Sequence, residues 1–105
     1  MIDEIQEKIA AGHFEFSKHA VDQTILRGIS VQEIRDAIKR GEIIEDYPDD
    51  KYRPSCLIFG KTDDDRPIHV QCSYPSRPIV KIVTLYEPDK DLWIDFRTRR
   101  QQDAD

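Results

Sequence analysis

Residues 30–47 read Ser30-Val31-Gln32-Glu33-Ile34-Arg35-Asp36-Ala37-Ile38-Lys39-Arg40-Gly41-Glu42-Ile43-Ile44-Glu45-Asp46-Tyr47, and within them the hydrophobic period changes. Up to Gly41 it is helical. Ser30 and Glu33 stand at capping-box spacing, Val31, Ile34 and Ile38 form one apolar stripe, and Arg40-Gly41 closes the helix with a cation and a C-cap glycine. After Gly41 the pattern is extended, and 42–47, 52–61, 67–74 and 79–86 read as four strands. Helices therefore come first in the chain and the sheet follows.

Towards the N-terminus, Ile2, Ile5 and Ile9 recur at helical spacing and predict a first helix that ends at Gly12. Phe14-Glu15-Phe16 then leads to Ser17, an N-cap for a second helix with Val21, Ile25 and Leu26 on one side, ending at Arg27-Gly28. Towards the C-terminus, the connections Pro48-Asp49-Asp50, 62–66 and Pro75-Ser76-Arg77-Pro78 are short and rich in turn formers, which favours antiparallel hairpins over crossovers. An α+β fold is expected, with N-terminal helices packed on one face of a mainly antiparallel sheet of about four strands. Leu92, Trp93 and Phe96 predict a last amphipathic helix at the sheet edge. Residues 1–105 read as a single domain, with 98–105 as a frayed tail.

The length, 105 residues, suits one hydrophobic core. Charged residues make up 35% and the net charge is −5, which excludes non-specific coating of nucleic acid or of an anionic membrane. The charge is unevenly spread, since 66–86 contains Arg66, Arg77 and Lys81 and no carboxylate. No apolar run approaches a membrane span and no signal peptide is evident, so the chain reads as cytoplasmic. Cys56 and Cys72 lack any CxxC pairing and read as reduced, mostly buried thiols. With His19, His69 and Cys72 as the soft ligands and no close pair among them, no metal site is expected, and no cofactor. The scattered glycines exclude a phosphate-binding glycine loop.

The strand at 67–74 alternates, placing Ile68, Val70 and Cys72 on one face and His69, Gln71 and Ser73 on the other. His69 is thus expected mid-strand on a solvated face, where its removal should change stability by within about 0.5 kcal/mol. A simple hairpin after it sets Gln71 opposite Lys81, so imidazole, amide and ammonium share a surface. Tyr86 ends the last strand at the rim of that surface, and Arg53 is the nearest further cation. Each has a plainer reading: His69 and Lys81 as solvated charges, Tyr86 as a half-buried edge aromatic, and His19 as a residue closing its helix N-terminus. Ser17, His19 and Arg27 together could also face the sheet.

Three strings, Phe16-Ser17-Lys18-His19-Ala20, Arg27-Gly28-Ile29-Ser30 and Val83-Thr84-Leu85-Tyr86-Glu87-Pro88-Asp89, carry a resemblance over residues 9–99. The chain resembles the small bacterial toxin-type family of unknown function encoded beside YgiT-type zinc-finger antitoxins. Through Tyr52-Arg53-Pro54 and the closing strands it is more distantly similar to the motility quorum-sensing regulator toxins, mRNA interferases of the RelE-like ribonuclease group. The resemblance implies a RelE-like fold and a metal-independent endoribonuclease with RNA as substrate, held inactive by a cognate zinc-finger antitoxin. His69 falls where the distant toxins have a catalytic strand tyrosine, and Tyr86 near their last-strand lysine.

Metal-free RNA cleavage needs a base for the ribose 2′-OH, charge to hold the phosphate and an acid for the departing 5′-oxygen. His69 is then the natural acid or base, with His19 as a further candidate. Arg53 and Lys81 would hold the phosphate, and Tyr86 would orient or donate a proton. Gln71, Arg27, Tyr52 and Tyr74 are the candidate RNA contacts, the tyrosines by stacking on a splayed base. Two other classes compete: a non-catalytic module that docks a partner on its polar face or sheet edge, and an RNA- or DNA-binding regulator without cleavage.

Overall fold

The computed structural model describes residues 1–51 and 53–101. Three helices come first, α1 (Ile2–Ala10), α2 (Lys18–Arg27) and α3 (Val31–Lys39), with a short strand β1 (Phe14–Phe16) between the first two. Then follow β2 (Glu42–Tyr47), β3 (Ser55–Lys61), β4 (Pro67–Ser73) and β5 (Val80–Tyr86), and a small hairpin of β6 (Trp93–Ile94) and β7 (Thr98–Arg99).

The helix boundaries follow local chemistry. Ser17 Oγ accepts from Ala20 N–H at 3.0 Å, and Gly28 closes α2 in the left-handed conformation (φ 60°) that favours glycine. At α3 both halves of the capping box form, Ser30 Oγ with Glu33 N–H and Glu33 Oε1 with Ser30 N–H. Arg66 locks this corner. Its guanidinium donates to the main-chain oxygens of Arg27 and Gly28 and pairs with Glu33 and Glu87, tying the α2–α3 turn to the ends of β4 and β5.

The sheet has five strands in the order β1-β5-β4-β3-β2, antiparallel except where β1 runs parallel to β5. The expectation of about four strands is corrected by Phe14-Glu15-Phe16, which pairs with Val80-Lys81-Ile82. Helices cover one face, where Ile5, Ile9, Ala20, Ile34 and Ile38 pack on Ile58, Ile68, Val70, Ile82 and Leu85. Glycine is required at position 60, because a Cβ there would sit 1.7 Å from the Ala37 carbonyl oxygen of α3. Burial of Cys56 and Cys72 as free thiols on this face agrees with the sequence.

Two helical expectations are corrected. Val21, Ile25 and Leu26 do not face the core: they are 41%, 76% and 76% exposed, and Ala20 is the fully buried residue of α2. Among the described residues, no C-terminal helix forms. Trp93 instead starts a two-stranded hairpin whose turn holds Asp95 and Phe96 at positive φ, and its indole, 3% exposed, packs on the sheet face opposite the helices. Thr98 and Arg99, expected to fray, pair with Ile94 and Trp93. Among the described residues, no helix is long and apolar enough to cross a membrane.

Candidate functional site

On the helix-free face, β4 presents His69, Gln71 and Ser73 as the alternation requires. The facing β5 is irregular: Gln71 pairs with Thr84 and Cys72 with Ile82, so Val83 is an extra residue with no partner on β4. This bulge corrects the expected pairing of Gln71 with Lys81. It also shifts the alternation by one, which turns Ile82 and Val80 into the core and leaves Lys81 on the open face. Lys81 N–H bonds Ser73 Oγ at 2.9 Å.

The N-terminus of α2 meets β5 at the bulge. Ser17 N–H donates to Ile82 O, Ser17 Oγ donates to Val83 O at 2.8 Å, and the exposed His19 holds Thr84 Oγ1 through Nε2 at 3.1 Å. From Thr84 the polar surface continues across the sheet, since Gln71 Nε2 donates to Ser55 Oγ and Ser55 Oγ donates to Asp50. Ser17, Asp50, Arg53, Ser55, Ser73, Lys81 and Val83 enclose an open cavity of about 440 Å³. Its two cations, Arg53 and Lys81, suit a phosphate or another small oxyanion although Asp50 also lines it; Ser17 and Ser55 already donate their hydroxyl protons to Val83 O and Asp50, while the Ser73 hydroxyl, which accepts from Lys81 N–H, can still donate. Glu15 reaches the Lys81 ammonium at 3.8 Å across an exposed surface, a weak contact that a ligand can displace.

The other half of the face is closed. His69, expected on a solvated surface, is fully buried. Its ring meets Trp93 edge-on at 4.5 Å, with Tyr86 at 5.2 Å and Phe59 at 5.8 Å. Burial lowers the His69 pKa against the opposing hydrogen bond of the Phe96 carbonyl, with smaller effects from Glu45 upwards and Arg99 downwards. Tyr86, half-buried, bonds His69 Nδ1 at 3.2 Å, and burial raises its pKa. The hairpin causes this closure. Arg97 pairs with Glu42 and Arg99 with Glu45 on β2, and Arg99 also lies over the Trp93 ring. Sequence reasoning missed it, because the Leu92, Trp93 and Phe96 spacing suits a helix as well as a hairpin.

The predicted residues therefore divide. Arg53 and Lys81 line the open cavity; Gln71 is bonded to the lining Ser55, and His19 is bonded to Thr84 next to the lining Val83. His69 and Tyr86 share the covered half. Arg27 lies at the exposed C-terminal end of α2, bonded to Gln23, and Tyr74 packs on the helix-side core with its hydroxyl on Asp46, so neither joins the cavity. Tyr52 lies outside the described residues. Arg66, which seemed from sequence to add to a local cationic surface, is spent on Glu33 and Glu87. Asp50, Ser55 and Thr84 had no chemical signal of their own and are brought in by tertiary contacts, whereas Ser17, expected as the α2 cap and with His19 to face the sheet, does so through Ile82 and Val83. Among the described residues, no group of three His, Cys, Asp or Glu side chains could hold a metal ion.

Neither a curated protein nor a solved structure matches the chain. One family model does, over residues 16–87, a span that runs from the end of β1 to the end of β5 and stops short of the hairpin. The chain belongs to that family, described as Domain of unknown function (DUF4258).

Proposed function

We propose that the chain is a metal-independent endoribonuclease with a RelE-like fold, a toxin that acts on mRNA in the cytoplasm and is held inactive by a small protein antitoxin. One observation supports this above the others: Arg53, Lys81 and the Ser73 hydroxyl line one open cavity, and the His19 imidazole, two residues on from the lining Ser17, is held through Nε2 by Thr84, the neighbour of the lining Val83. Arg53 and Lys81 bind the scissile phosphate and offset the charge that builds on it. His19 takes the proton of the ribose 2′-OH, the 2′-oxygen attacks phosphorus, and the 5′-oxygen leaves with a proton from the Lys81 ammonium. His69 and Tyr86, the residues the sequence favoured, enter this scheme only when uncovered.

The partner reading has its own support. The exposed Val21, Ile25 and Leu26 on α2 give a protein an apolar surface beside the site, and β1 and β2 leave the two sheet edges unpaired by the main sheet. The zinc of a zinc-finger antitoxin would belong to the partner.

The test is cleavage of a single-stranded RNA by the purified chain in EDTA, alone and with ribosomes, with products checked for 2′,3′-cyclic phosphate ends. His19→Ala and Lys81→Ala should each slow cleavage by about 10²- to 10⁴-fold at an unchanged melting temperature. RNA left intact under every condition overturns the enzyme reading. Salt-dependent binding of that intact RNA would then mark a regulator, and docking of a partner without RNA binding would mark a binding module.

A further inference from the structure

We propose that the hairpin at residues 92–100 is a removable cover, and that its displacement opens His69 and Tyr86 as the second half of the RNA-binding face; this rests on the ribonuclease reading above. The two halves are continuous, because His69, Gln71 and Ser73 follow one another on the same side of β4 and Ser73 lines the open cavity. Beneath the cover lie an imidazole, a phenol and the Phe59 ring, groups suited to stack and hydrogen-bond an unstacked base.

The way the hairpin is attached allows it to lift as a unit. β6 and β7 form a separate two-stranded sheet and make no ladder with β2–β5. Main-chain hydrogen bonds of the hairpin run within residues 89–100, among them Arg100 N–H to Leu92 O and Trp93 N–H to Asp89 O. What joins it to the main sheet runs through side chains: the His69 bond to the Phe96 carbonyl, Trp93 on His69, Phe96 and Arg97 on the Phe59 ring, an exposed Arg97–Glu42 pair and an Arg99–Glu45 pair whose carboxylate is mostly buried. The exposed Arg97–Glu42 pair holds weakly and is screened by salt, so the Arg99–Glu45 pair and the ring contacts carry most of the attachment. Asp95 and Phe96 both sit at positive φ in the hairpin's own turn, closed by Arg97 N–H to Ile94 O, and this turn travels with the hairpin when it lifts. Lifting the cover therefore leaves all five strands of the main ladder intact.

Two measurements test the cover. In the wild-type chain, carbethoxylation of His69 by diethyl pyrocarbonate is followed by mass spectrometry in low concentrations of urea, with the exposed His19 as the internal reference. A His69 rate insensitive to urea below the unfolding transition supports local opening, whereas a rate that rises with the full slope of global unfolding overturns it. Trp93→Ala then removes the anchor without changing charge. It should raise the His69 rate about tenfold or more and tighten binding of a fluorescent single-stranded RNA about tenfold. An exposed His69 with unchanged RNA affinity overturns the assignment of the covered half to RNA. Failure of both proteins to bind or cut RNA overturns the ribonuclease reading and that assignment with it, while the urea data still decide whether the hairpin opens.

Discussion

His69 donates from Nε2 to the main-chain carbonyl of Phe96 at 2.6 Å. Because a carbonyl can only accept, this bond sets the tautomer: Nε2 carries the proton of the neutral ring, and Nδ1 accepts from the Tyr86 hydroxyl at 3.2 Å. A strand residue and the turn of the terminal hairpin are thus joined through one imidazole; two tests bear on it, and two more on the scaffold around it.

The first concerns stability at His69 itself. Its ring is fully buried among Trp93, Tyr86 and Phe59. His69→Ala should cost about 2–4 kcal/mol, from the cavity and from the two lost partners. Urea denaturation of the two proteins measures it, and a cost within about 0.5 kcal/mol would return His69 to the solvated surface expected from sequence.

The second concerns pH. Burial depresses the folded-state pKa of His69, so as pH falls the unfolded chain takes up the proton before the folded one. Stability should therefore be full above the unfolded value of about 6.5, fall as pH drops through it, and level off below the depressed folded value. Glu33 is lowered chiefly by the Ser30 N–H hydrogen bond and then by Arg66, and Glu45 by Arg99 and Tyr47 against burial. These carboxylates add a separate loss as pH falls below their ordinary value of about 4.3. In His69→Gln the loss between neutrality and pH 5 should disappear while the acidic loss remains, as followed by urea midpoints across pH.

Two glycines separate close packing from backbone conformation. Gly60→Ala drives a methyl into the Ala37 carbonyl of α3 and should cost about 3 kcal/mol or more, or prevent folding. Gly12→Ala meets no atom within 4 Å but keeps a positive φ of 80°, and should cost about 1 kcal/mol. Thermal unfolding of the pair decides the order, and equal losses would contradict the close α3–β3 approach.

The α3 capping box offers a fourth test. Ser30→Ala removes the acceptor for Glu33 N–H and should lower stability by about 1 kcal/mol. Arg66→Ala should cost more, at about 2 kcal/mol, because it frees the Arg27 and Gly28 carbonyls together with Glu33 and Glu87. The order of the two losses, read by chemical denaturation, checks that Arg66 is the buckle of this corner.

Much of the scaffold was legible in the sequence because its signals are local. Ser17, Gly28, the Ser30–Glu33 pair and the alternation around His69 each act within a few residues, and each lies where its local chemistry predicts. The grouping of Arg53, Lys81 and Gln71 on one side of the sheet was also anticipated, although for Lys81 through a register that the structure does not use. A different factor governs α2. Its apolar side chains were expected in the core, but only the tertiary placement of the helix along β5 decides which side is covered, and it covers Ala20.

By itself, then, the sequence determined the three helices, the four longer strands and which side chains of β4 share a face, since capping and two-residue alternation are properties of the local chain. Only the tertiary structure decided three further things. Phe14-Glu15-Phe16 is too short to declare itself and becomes a strand by pairing with β5, far along the chain. Val83 becomes a bulge because β4 has no residue to match it, and that extra residue places Lys81 on the cavity side. Trp93 and Phe96 leave a helical spacing for a hairpin because the indole and the Phe96 carbonyl find His69 to pack on and bond, contacts that exist only once β4 and β5 are side by side.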